Sequence, residues 1–313
     1  MLSRFAENAF WMGRYAERAE NLSRLLLMTE IFAGGEDSDK AWRPVLQVFF
    51  DEDAYMQRYK TITALNVVKF YLCEANNPNS VYAAVHMLKE NARSLRHIIS
   101  TESWRQISVF FSDVQALSKR RLSLSELSDI CSDIRTACFT HRGVIEGTWY
   151  RDEVWRFNRL GSALERADQM TRLIDMKYFE YDRDDDENVA PPDVAWWNTL
   201  LRSASGFHAF QRKHPVDPDP ADAARFLLLD TQLPLSVRGA VRAVAYQLDR
   251  LHGDFNVEPD KAIGEALSAL EARLETPPER LNGRALHVYL DHLQIEILAL
   301  ANAIGARYFS PSA

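Results

Sequence analysis

Apolar residues recur three and four positions apart along almost the whole chain, which is the period of a helix face and not of a strand. The pattern predicts helices over 3–32, 59–73, 79–99, 102–118, 124–145, 152–180, 193–212, 236–252, 260–275 and 284–309. The best strand candidate, "NVVKFYL", lies inside "TITALNVVKFYLCEAN", whose spacing suits a helix better. Turn chemistry marks the breaks: "NNPNS" before Val81, "APPD" before 194, "HPVDPDP" at 214–220 and "TPPE" at 276–279. Pro259 is expected in the first turn of a helix, after Glu258. "GGEDSD" (34–39) reads as a flexible turn. The acidic "DRDDDENVAPPD" (182–193) reads as a solvated connection, with an acidic partner surface as the alternative. The expected fold class is all-α, a multi-helix bundle.

An internal repeat organises that bundle. "GRYAERAENLSRLL" at 13–26 aligns without gaps on "GSALERADQMTRLI" at 161–174, with eleven of fourteen positions identical or alike in chemical type. Gly13/Gly161, Glu17/Glu165, Arg18/Arg166, Ala19/Ala167, Arg24/Arg172 and Leu25/Leu173 are identical. The offset of 148 residues is too long for a solenoid unit. It predicts a single domain built from two pseudo-repeated halves, about 1–150 and 151–313, with the Glu-Arg helices central.

The charges of the first copy raise a question of satisfaction. Met12, Tyr15, Ala16, Ala19, Leu22, Ser23 and Leu26 share the face expected to be buried. Arg14, Glu17, Asn21 and Arg24 fall on the far side, flanked by Trp11, Arg18 and Leu25, so that side is expected to be partly covered. Glu20 with Arg24, and Asp168 with Arg172, have the spacing of helical ion pairs. Arg14 and Arg18 carry like charge one turn apart and call for an anion between them, a role open to Glu17 from the Arg14 side. Two readings follow for the adjacent Glu17-Arg18 and Glu165-Arg166. Either the two copies pair reciprocally across helices, or they line one cleft whose arginines bind a carboxylate or phosphate and whose glutamates bind an amine.

Composition narrows the rest. With 313 residues, 47% apolar and 26% charged, the chain has the balance of a globular protein. A net charge of -7 offers no long-range attraction for nucleic acid or an anionic membrane, and neither is expected as a partner. Cys73, Cys131 and Cys138 read as free, mostly buried thiols, and with no run apolar enough to span a bilayer the expected location is cytoplasmic. No phosphate-binding glycine loop and no HExxH motif occurs, so no cofactor and no metal is expected. His287 with Asp291, and His292 with Glu296, share helical faces, but each pair offers only two potential ligands. His141-Arg142 is expected to end a helix, and Cys131 with Cys138 to pack in the core.

At "LSRFAENAFWMGRYAERAENLSRLL" the chain resembles the opening of the alpha-E family, named for its helices and Glu-Arg motif. "KENARSLRHIISTESWRQI" (89–107) is similar to that family's Glu-Asn-Ala-Arg segment, which makes Glu90, Asn91, Arg93 and Arg96 secondary site candidates. "FNRLGSALERADQMTRLIDMKY" (157–178) and "ARFLLLDTQLPLSV" (224–237) resemble two further segments in the family's order. Leu233-Pro234-Leu235 departs from the pattern, which leads one to expect an aromatic before the proline and a basic residue after it. The resemblance implies an all-helical protein usually encoded beside a circularly permuted ATP-grasp enzyme, its implied partner, and often with a transglutaminase-like protein. It supplies no catalytic residues. Three roles stay open: partner subunit of a carboxylate–amine ligase system, enzyme in its own right, or structural scaffold. The site candidates are Arg14, Glu17, Arg18, Asn21, Arg24, Glu165, Arg166, Asp168 and Arg172.

Overall fold

A computed structural model describes residues 3–34, 39–179, 194–215 and 220–309. The acidic connection 182–193, most of the 34–39 turn and part of 214–220 lie outside the described residues. Among the described residues there are fourteen α-helices and no strand, so the fold is all-α. The chain divides into two compact units, Met1–Glu165 and Arg166–Ala313.

In the first unit four helices form a closed ring: α1 (Ser3–Ala33), α5 (Val81–Ser94), α6 (Thr101–Lys119) and α7 (Leu127–Thr148), each packed on the next and α7 back on α1. Neighbours run antiparallel. Phe5 at the start of α1 meets His97 just past the end of α5, Tyr82 of α5 meets Phe111 of α6, and Ser100 before α6 bonds Thr148 at the end of α7. Short connections between helices favour this up-down arrangement. Three shorter helices, α2 (Asp39–Val48), α3 (Glu52–Arg58) and α4 (Ala64–Leu72), pack at one side, α2 and α4 touching α1. The second unit strings together α9 (Val194–Ser203), α10 (Phe207–Lys213), α11 (Pro220–Leu229), α12 (Val237–Phe255), α13 (Lys261–Glu275) and α14 (Gly283–Tyr308), with α9 on α10 and α11, α11 on α12, α12 on α13 and α13 on α14. The long α8 (Glu153–Phe179) contains the boundary between the units.

Local chemistry explains where the helices depart from the periodic reading. The 59–73 segment becomes helical only at Ala64, because the Thr63 hydroxyl accepts from Asn66 N and starts the helix there. The 79–99 segment begins after the Ser80 cap and ends at Ser94, leaving Arg96 in a turn. The 193–212 segment breaks at 204–206, where Ser205 takes a left-handed φ of 55°. Helices α2, α3 and α11 lie outside the predicted ranges; each is ten residues or shorter. Pro259 precedes the helix instead of opening its first turn, because Asp260 is the cap and accepts from Ile263 N. His141 and Arg142 do not end a helix either, since α7 continues to Thr148.

Candidate functional site

The site begins with two glycines. Helix α1 crosses α8 where Gly13 faces the Asn158 carbonyl and Gly161 faces that of Phe10, both backbones touching with no room for a side chain. A Cβ on Gly13 would also lie 2.8 Å from Ser162 N. The offset between Phe10 and Asn158 equals that between the glycines, so the crossing is locally symmetric. Asn158 Nδ2 donates to Ala9 O at 3.1 Å and Ser162 Oγ to Gly13 O at 3.4 Å, which places polar side chains in the seam without leaving them unbonded.

This close approach brings the charges together. Glu165 is fully buried and accepts from Arg18 Nε at 2.7 Å, Arg18 Nη2 at 3.1 Å and Arg14 Nε at 2.6 Å. Glu165, and not Glu17, is therefore the anion between the two arginines. Burial alone raises the Glu165 pKa, but Arg18 and then Arg14 outweigh it and hold the carboxyl well below the usual range. The arginines also lie over rings, Arg14 4.9 Å from the centre of Trp11 and Arg18 5.6 Å from Tyr15, and the two rings stack on each other. Trp11 on a polar flank has its explanation in that stack.

Glu17 turns to α7. Arg142 Nη2 donates to Glu17 Oε1 at 3.0 Å and to Glu20 Oε2 at 2.6 Å, and Glu20 also accepts from Arg24 one turn on. Arg24 is among the largest fully buried side chains, and Asn21 donates to Glu17 O, so the predicted far side of α1 is covered. Beside them His141 is buried, its Nδ1 facing Gln106 Oε1 at 3.1 Å while Nε2 makes no hydrogen bond. Desolvation first, and then Arg142, push its pKa down to about 4, so it is neutral near pH 7. Sequence reasoning missed Arg142 and His141 because α7 carries no copy of the repeat. The cavity touching Glu17, His141, Arg142 and Ser162 holds about 10 Å³, room for at most one water.

The other candidates separate from this cluster. Arg166 is nearly buried in the second unit and donates to Pro234 O at 3.4 Å, which gives the atypical Leu-Pro-Leu turn a contact with the Glu-Arg helix. Arg172 pairs with Asp168 through both carboxylate oxygens, at 3.0 and 3.3 Å, as their spacing predicts. Glu90 and Arg93 form a solvated pair at 3.3 Å, Asn91 donates to Met87 O, and exposed Arg96 lies over Trp104. Burial drives the thiols of Cys73 and Cys131 up to about 11 and 12, and that of Cys138 well above its usual value, so none offers a thiolate near neutral pH.

Three further features lie outside the Glu-Arg cluster. A groove of about 870 Å³ between α6 and α7 mixes apolar residues such as Val109, Phe110 and Ile134 with Glu102, Arg105 and Asp133. In the second unit a cleft of about 520 Å³ between α13 and α14 contains the Arg273–Glu296 pair at 2.6 Å. Also in that unit, His287 Nδ1 lies 2.7 Å from Asp175 Oδ1 and Nε2 3.5 Å from Asp291 Oδ2. Among the described residues no helix is long and apolar enough to cross a membrane.

A family model described as a predicted alpha-helical domain with a conserved ER motif, Alpha-E, matches residues 1–309. An uncharacterized Mycobacterium bovis protein is 24% identical over 324 aligned residues, covering 97% of this chain and 35% of its own length. Uncharacterized proteins of two Mycobacterium tuberculosis strains match with the same identity and coverage. The chain therefore spans about a third of the length of the curated relatives it matches. No solved structure matches it.

Proposed function

The chain belongs to the alpha-E family, and from that premise we propose that it is an accessory or partner subunit of an ATP-grasp carboxylate–amine ligase system. It works there through protein–protein contacts, in making or modifying a peptide or amide. The ATP such a system consumes places the reading in the cytoplasm. The observation that carries it is the closure of the Glu-Arg cluster in the first unit. Glu165 is saturated by Arg14 and Arg18, Glu17 and Glu20 are held by Arg142, and the adjoining cavity is water-sized. Acid–base catalysis there would need a reachable carboxylate of near-neutral pKa, whereas Glu165 is buried and strongly acidic. The motif is better explained as what locks α1 onto its neighbours, leaving the outer faces for a partner.

The test is co-expression with an ATP-grasp protein encoded beside this one, followed by size exclusion and an ATP-turnover assay. Co-elution with altered turnover is the expected result. Separate elution with unchanged turnover would overturn the proposal, and a transglutaminase-like neighbour serves as a second bait in the same experiment.

A further inference from the structure

Asp175 on α8 and His287 with Asp291 on α14 lie together inside the second unit, although 112 residues separate Asp175 from His287. We infer that these three residues form a binding site for a divalent transition metal of the Zn²⁺ type, in which His287 Nε2 and Asp291 bind the ion and Asp175 orients the ring. His287 and Asp291 are one turn apart on α14, so both project from one face. Asp175 is buried and sits 2.7 Å from His287 Nδ1. A carboxylate there accepts the Nδ1 proton and leaves the lone pair on Nε2, the arrangement in which metal-binding histidines are commonly held.

The decisive distance is on the other side of the ring. Nε2 and Asp291 Oδ2 are 3.5 Å apart, at the outer limit for a hydrogen bond. Two ligands bound about 2.0 Å from one tetrahedral ion stand about 3.3 Å apart, so the gap has the size an ion fills. A ring nitrogen of His287 and one carboxylate oxygen from each of Asp175 and Asp291 lie within 4.8 Å of one another, so the orienting carboxylate and the binding carboxylate meet at the same imidazole. Asp291 is half exposed, which opens the site to solvent and leaves the remaining coordination positions to water. On α8, Arg172 is engaged by both oxygens of Asp168. One imidazole nitrogen and carboxylate oxygens form a donor set of borderline softness, which suits Zn²⁺ or Co²⁺ better than Mg²⁺.

The test titrates the full chain, stripped with chelator, with Zn²⁺ by calorimetry and with Co²⁺ by visible absorption. One ion per chain and the intense absorption of tetrahedral Co²⁺ are expected. Asp291→Asn, at an exposed position that leaves folding intact, is expected to weaken that binding at least tenfold, and His287→Gln to abolish it. Asp175→Asn should keep the stoichiometry and lose about 10- to 100-fold in affinity, the usual cost of removing an orienting partner. Absence of binding overturns the site, and so does binding that Asp291→Asn and His287→Gln leave at the wild-type affinity.

Discussion

At the scale of single residues, Glu165 carries the most consequence. It is buried with two arginines as its donors, and its removal takes the shared carboxylate away from two like charges one turn apart. Breaking a buried pair from one side typically costs about 3–5 kcal/mol, and Glu165→Gln is expected to lose that much in chemical denaturation. Arg93→Ala, in an exposed pair with Glu90, should stay within about 0.5 kcal/mol. If the two variants proved equally stable, the Glu-Arg motif would not be the lock described above. The sequence made half of this legible. Adjacent opposite charges that cannot pair on one helix, duplicated 148 residues away, demanded partners from another helix. It did not reveal Arg142, because a lone arginine on an ordinary amphipathic helix has no mark distinguishing it from a solvated one.

At the scale of elements, the crossing of α1 and α8 depends on Gly13 and Gly161. An added methyl at either position would run into a backbone carbonyl, which cannot rotate away as a side chain can. Overpacking of this kind costs about 1–3 kcal/mol and sometimes more, so Gly13→Ala and Gly161→Ala should each lower the melting temperature markedly. Gly143 offers the internal control: it is mid-helix in α7, with nothing within 4 Å of a built Cβ. Gly143→Ala should raise stability by about 0.5–1 kcal/mol through helix propensity alone. Equal effects in the two directions of this comparison would remove the crossing from the account. The pairing of Gly13 with Gly161 was readable as identity in the repeat; that both serve one contact was not, since a glycine in a helix carries no sign of what faces it.

At the scale of the whole molecule, the buried groups set how stability follows pH. The folded-state pKa of His141 is depressed from 6.5 to about 4, so below 6.5 the unfolded chain takes up a proton that the folded chain refuses. Stability is complete above pH 6.5 and falls as pH drops toward 4, by about 3 kcal/mol in all for this one group. Glu165 is depressed from 4.5 and acts with the same sign in a lower window: its contribution is full above pH 4.5 and is lost as pH falls below that value. Denaturation midpoints measured between pH 7 and 4.5 should therefore decline, and His141→Gln should flatten the decline. An unchanged slope in that variant would show that His141 titrates as it does in the unfolded chain.

The sequence by itself determined the helical class, the positions of the long helices and the duplicated Glu-Arg segment, because periodicity and capping are local and repeat with the helix turn. It did not determine the short helices α2, α3 and α11, nor the ends of the segments broken at 204–206 and begun at Ala64. Tertiary structure alone decided which charges meet: Glu165 with Arg14 and Arg18, Glu17 and Glu20 with Arg142, and Asp175 with His287. The reason is that a buried charge is satisfied by whatever donor the packing of distant helices brings within about 3 Å, and that distance depends on helix crossings fixed by close contacts such as Gly13 with Gly161.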